Sequence, residues 1–104
     1  MSRSVSYHEL ALADLYDAWS WYEARERGLG ERFIAAVDAA VERVVEWPYS
    51  GTPAIDLDGE VIERRVGTAG FPYLARYRIL DDAILVTAVH HQRRRPDFAS
   101  DHST

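Results

Sequence analysis

The segment Tyr73-Leu74-Ala75-Arg76-Tyr77-Arg78-Ile79-Leu80 alternates with a period of two. As a β-strand it places Tyr73, Ala75, Tyr77 and Ile79 on one face and Leu74, Arg76, Arg78 and Leu80 on the other. One face can be buried under helices while the other carries arginines, the pattern of a strand in an antiparallel sheet covered on one side. Asp81-Asp82 then makes a tight turn into a strand over residues 84–90. On the other side, Gly67-Thr68-Ala69-Gly70 joins the segment to a strand over residues 61–66. The three form a meander. Upstream, Pro48, Gly51 and Pro53 break the preceding helical pattern, and residues 48–59 are expected to be a surface connection.

Residues 9–27 change period. At 100° per residue, Leu12, Leu15, Trp19 and Tyr22 share a narrow arc with Ala11 and Ala18 at its edge, which predicts an amphipathic helix. Gly28-Leu29-Gly30 turns the chain, and a second helix over residues 31–47 gathers Phe33, Val37, Ala40, Val44 and Trp47 on one face. Asp38, Glu42 and Glu46 point away, so the pair is an antiparallel hairpin with acidic outer faces. Ser4-Val5-Ser6-Tyr7 alternates as a short first strand. The fold class is therefore α+β, with an N-terminal strand, a two-helix hairpin and a meander sheet in the order β-α-α-β-β-β. Trp19 and Phe33 are expected core residues, each costing about 3–5 kcal/mol on truncation to alanine.

The 104 residues, 47% hydrophobic and 28% charged, suit one domain over 1–104, with a core over about 5–98 and a frayed tail at 99–104. No cysteine is present, which removes disulfides and thiolate chemistry from consideration. The opening residues lack a signal-like apolar segment and no run is long enough to span a membrane, so the expected location is the cytoplasm. The net charge is -5, and its distribution is uneven. Residues 1–59 hold 5 arginines against 11 acids, whereas residues 60–104 hold 7 arginines against 6 acids. All 12 basic residues are arginine. An acidic chain is a poor general ligand for nucleic acid, so any such function requires a local basic patch.

Arg64, Arg65, Arg76, Arg78, Arg93, Arg94 and Arg95 could supply that patch, because arginines on strands about 4.8 Å apart can converge on one anion. The alternative is a solvated sheet face in which Arg76 and Arg78 pair with Glu63. His90 and His91 face opposite ways in a strand, so at most one joins the arginine surface, where it could serve as a general acid or base. Four histidines without helical i, i+4 spacing predict no metal site, and no cofactor is expected. Asp14, Asp17, Asp81 and Asp82 read as solvated surface acids. Trp21 lies about 120° from the buried arc, either as an exposed contact residue or packed under the 48–59 connection.

Taken in order, Tyr22-Glu23, Gly28-Leu29-Gly30 with Phe33, Trp47-Pro48, Phe71-Pro72-Tyr73, Tyr77-Arg78 and Ala88-Val89-His90-His91-Gln92-Arg93-Arg94-Arg95-Pro96 resemble the RelE/ParE superfamily. These are toxins of type II toxin–antitoxin modules, also called plasmid stabilisation proteins. The resemblance implies a compact domain with a curved antiparallel sheet and a cognate antitoxin that folds as it binds, giving a toxin–antitoxin hetero-oligomer. It leaves two targets. ParE-like members poison DNA gyrase; RelE-like members are metal-independent, ribosome-dependent mRNA endoribonucleases.

For a nuclease, the resemblance casts His91, Arg78 and Arg94 as catalytic; for a binding protein it casts Arg64, Arg65, Arg76, Tyr77, Arg93, Arg95 and Trp21 as contacts with target or antitoxin. Phe98-Ala99 stands where relatives commonly continue Tyr-Trp. The acidic, lysine-free composition favours the ParE-like branch, since a ribosome-bound enzyme must sit on a dense polyanion. A non-toxic antitoxin-binding co-regulator is the third possibility.

Overall fold

The computed structural model of the chain describes residues 3–93. Strand β1 (Ser4–Tyr7) leads into helix α1 (Glu9–Arg25) and helix α2 (Leu29–Glu46). A single 3-10 turn at Pro48–Ser50 precedes β2 (Thr52–Ile55), β3 (Val61–Thr68), β4 (Phe71–Leu80) and β5 (Ala83–His91). The five strands form one sheet in the order β1-β5-β4-β3-β2.

The meander is present, with β3, β4 and β5 antiparallel. Two features depart from the expected all-antiparallel arrangement. Strand β1 runs parallel to β5, so the sheet is mixed. The connection after α2 also contains β2, which pairs antiparallel with β3. Pro53 reads as a breaker, yet β2 is an edge strand, and an edge tolerates the missing N–H of proline.

The helix boundaries also shift. Helix α1 stops at Arg25, and only Gly28, in the left-handed region at φ 87°, makes the turn, because Gly30 already lies inside α2. Gly28 as N-cap has no side chain to offer the exposed amides of α2. Glu23 substitutes for it: its carboxylate accepts from the Gly28 N–H at 2.9 Å and the Gly30 N–H at 2.9 Å. A negative charge at that helix end is also favoured by the helix dipole. Gly30 has no room for a side chain, since a Cβ would lie 2.8 Å from the Trp19 carbonyl oxygen. The Tyr22-Glu23 and Gly28-Leu29-Gly30 motifs are thus the joint of the hairpin.

Both helices cover one face of the sheet. Phe33, Val37, Val41, Ala11 and Ala18 meet Ala75, Val86 and Val89 in the main core, and Val44, Tyr77 and Ile84 continue it beneath the end of α2. Phe33 is fully buried, with the rings of Tyr22, Phe71 and Tyr73 at 5.3, 5.4 and 5.0 Å. The buried line of α1 is rotated from the expected arc: Ala11 and Ala18 lie at its centre, while Leu12 is exposed. Small side chains there let the helix sit close over the sheet. Trp19 is consequently at the margin rather than in the core, and its Nε1–H donates to Glu31 Oε2 at 3.2 Å. Asp14 is also no free surface acid, because its Oδ2 accepts the Val89 N–H at 2.9 Å where β5 extends beyond β1.

Burial raises the Tyr77 phenol above its ordinary value of 10.0, although the Gly51 amide and Arg64 act in the opposite direction. Tyr7 and Tyr22 are raised for the same reason, helped by Asp38 and Tyr73 respectively. The unfolded chain then releases these protons at lower pH than the folded one. Their contribution is fully present below pH about 10 and is lost as pH rises through the raised values. Urea unfolding should therefore show a midpoint that falls across roughly pH 9 to 11, with tyrosinate absorbance trailing that of the unfolded chain. A constant midpoint over that range would contradict the assignment.

Candidate functional site

The alternation along β4 holds: Ala75 and Tyr77 are buried, and Arg78 is exposed. Because Arg65 pairs with Arg76 in register, Arg65, Arg76 and Arg78 share the face that the helices leave uncovered. Glu63 is at the centre of this face. Its carboxylate forms an ion pair with Arg76 at 2.6 Å, approaches Arg78 at 3.9 Å and accepts from the Thr87 hydroxyl at 2.9 Å. Only 14% of the Glu63 side chain and 20% of the Arg76 side chain remain exposed, so the pair is partly withdrawn from water. Arg78 is half exposed and Arg65 is exposed.

Arg64 and Tyr77 lie on the opposite, helix-covered face, Tyr77 buried and Arg64 half-buried. Tyr77 is 1% exposed; its hydroxyl donates to the Pro48 carbonyl at 2.6 Å and accepts from the Gly51 N–H at 3.0 Å. Arg64 donates through Nη1 to the carbonyls of Tyr49 at 3.1 Å and Gly51 at 2.9 Å, with its guanidinium 5.2 Å from the Tyr49 ring centre. Together they fasten the turn that follows α2. That turn leaves Trp47 and Tyr49 exposed, with Tyr49 beside Val61, Ile62 and Leu80. A groove of about 560 Å³ runs between Tyr49, Ile62, Arg64, Arg78 and Leu80.

His91 is also on the helix-covered side, opposite Tyr73 in register with the rings 5.3 Å apart. Its Nδ1 accepts the Arg93 N–H at 3.1 Å. Arg78 pairs with Leu85, six residues back along β5, which separates the two positions by about 20 Å of strand as well as by the thickness of the sheet. His91 and Arg78 are not brought together as a catalytic pair. The histidine on the arginine-bearing face is His90, opposite Leu74, and its Nδ1 faces the His91 carbonyl at 3.2 Å. Arg94 and Arg95 lie outside the described residues.

Trp21 does not pack under the 48–59 connection. It is half exposed, edge-on to Tyr22 at 5.1 Å, with the Arg25 guanidinium 3.9 Å above its ring. It forms the rim of a second groove of about 690 Å³, whose walls include Asp17, Tyr22, Tyr73, His91 and Arg93. Both grooves pair aromatic surface with arginine, a combination suited to a peptide carrying apolar anchors and acids. Among the described residues, no group of three or more histidines, aspartates or glutamates is placed to hold a metal ion, and no helix is long and apolar enough to cross a membrane.

Glu23 and Asp14 escaped sequence reasoning, whereas the pairing of Arg76 and Arg78 with Glu63 is the alternative that the sequence offers for this face. Glu23 carried a signal in its spacing ahead of Gly28, but Asp14 meets a strand 75 residues away and had none.

Comparison with known proteins finds relatives along most of the chain. Toxin ParE2 of Mycobacterium tuberculosis (strain H37Rv) is 28% identical over 98 residues, covering 93% of this chain and 89% of the relative. Y4kP of Sinorhizobium fredii (strain NGR234) is 29% identical over 87 residues, covering 83% of this chain and 85% of the relative. Among solved structures, a chain from the chromosomal ParDE toxin–antitoxin system of P. aeruginosa superposes with a TM-score of 0.61 at 18% identity, covering 86% of this chain and 95% of that one. Residues 5–96 match the family described as the ParE toxin of the type II toxin–antitoxin system parDE. With nearly the whole domain inside that match, the chain belongs to the ParE toxin family.

Proposed function

We propose that this ParE-family toxin inhibits growth by poisoning DNA gyrase, and that a cognate antitoxin neutralises it by folding onto its surface. The observation that carries the reading is the separation of His91 from Arg78 by the full thickness of the sheet. A metal-independent ribonuclease needs a proton-transfer group within hydrogen-bond reach of the phosphate that its arginines hold; the histidine that the resemblance casts in that role does not reach Arg78, and the carboxylate that stands there, Glu63, is ion-paired to Arg76. The acidic total supports the same conclusion, since a ribosome-bound enzyme gains affinity from net positive charge and a protein target does not require it.

In this reading Arg65, Arg78, Arg93 and Trp21 are contact residues, and Arg64 and Tyr77 form scaffold. The antitoxin is a small segment with aromatic or aliphatic anchors for the two grooves and acids for the arginines beside them. Toxin and antitoxin then form a hetero-oligomer.

Purified protein in a gyrase supercoiling and cleavage-complex assay, run beside ribosome-programmed mRNA cleavage, tests the proposal. Inhibited gyrase with intact mRNA is the expected result. Codon-phased mRNA cleavage with normal gyrase would establish the RelE-like alternative, and inactivity of folded protein in both assays would favour a non-toxic co-regulator.

A further inference from the structure

The uncovered face of the sheet carries Arg65, Arg76 and Arg78 side by side, a group that would ordinarily bind phosphate. One carboxylate stands among them. Glu63 holds Arg76 at 2.6 Å and approaches Arg78 at 3.9 Å, and the Thr87 hydroxyl, 2.9 Å away on β5, fixes its orientation. An incoming phosphate would have to displace a carboxylate that is already bound, oriented and mostly shielded from water. We propose that Glu63 determines specificity by occupying this anion site and thereby closing the sheet face to nucleic acid. The reading rests on a protein target for its biological meaning, and it assigns one residue on β3 the task of excluding the competing polyanion.

The electrostatics has a definite sign. Neutralising Glu63 removes the negative charge that stands among Arg65, Arg76 and Arg78, so phosphate contacts there release counterions. Each additional phosphate neutralised on a single strand steepens the dependence of log K on log salt by about 0.7. One or two such contacts are expected. Glutamine at position 63 keeps the shape and can still accept from Thr87, which makes Glu63→Gln the cleanest variant.

The probe is a fluorescein-labelled short single-stranded RNA, followed by anisotropy at about 50 mM and about 150 mM salt. Glu63→Gln should bind it at least about tenfold more tightly than the unsubstituted protein at the lower salt, with a salt slope steeper by about 0.7–1.4. Adding Arg76→Gln should remove the gain. A folded Glu63→Gln protein whose affinity stays within about twofold of the parent would overturn the proposal, and so would tight RNA binding by the parent itself. Should Glu63→Gln fail to fold, Thr87→Val carries the test: loosening the carboxylate should produce a smaller gain in the same direction, and no gain counts against the proposal. Gyrase inhibition is measured on the unsubstituted protein, so a failure of the gyrase reading leaves the RNA comparison independently interpretable.

Discussion

Phe33→Ala lowers the unfolding free energy by about 3–5 kcal/mol, a large part of the roughly 5–15 kcal/mol available to a domain of this size. Phe33 is completely buried, and three rings lie within 5.4 Å of its centre. Tyr22 comes from α1, whereas Phe71 and Tyr73 come from β4, so the ring is where the hairpin is fastened to the sheet. Truncation leaves a cavity walled by flat aromatic groups, which cannot close around it without moving α1. Urea denaturation followed by circular dichroism measures the loss. A change below about 1 kcal/mol would mean that the surrounding rings collapse freely into the space.

Tyr77→Ala is the second large effect, and it bears on how toxicity data should be read. The substitution removes a buried ring, worth about 3–5 kcal/mol, together with the hydroxyl that holds Pro48 and Gly51. The Gly51 N–H then loses its partner in a buried setting. Tyr77→Phe isolates that part, at about 1–3 kcal/mol, because the ring stays while the two hydrogen bonds go. Position 51 cannot compensate, since a Cβ there would lie 2.9 Å from the Arg65 carbonyl and closer still to the Tyr77 hydroxyl. Both Tyr77 variants should reduce toxicity in cells in proportion to lost stability. If Tyr77→Phe abolished growth inhibition while its urea midpoint stayed at that of the parent, Tyr77 would belong to the contact surface after all.

Tyr77 also shows how a family motif can be legible without its meaning being so. The Tyr77-Arg78 dipeptide was visible as a motif, and strand alternation alone required its members to point in opposite directions. Nothing local says that the tyrosine reaches a carbonyl 29 residues earlier. The same holds for Arg64, a charged side chain in the sequence whose Nη1 donates to the carbonyls of Tyr49 and Gly51. His91 was drawn towards Arg78 by the motif, and the register of β5 against β4 placed it with Tyr73.

What the chain determined by itself is whatever depends on near neighbours. The α+β class, both helices, the three meander strands and the division of β4 into a buried and an arginine-bearing face follow from periods of 3.6 and 2, and these periods are local properties of side-chain order. The arginines at 65, 76 and 78 were likewise predictable as a group, because antiparallel neighbours of like parity share a face. The tertiary structure alone decided the parallel docking of β1, the edge strand β2 and the rotation of α1 towards its alanines. Each of these depends on which distant surface a segment meets. A strand pairing or helix rotation is selected by the area buried and the hydrogen bonds completed across the whole sheet, and that sum exists only once the chain has closed on itself.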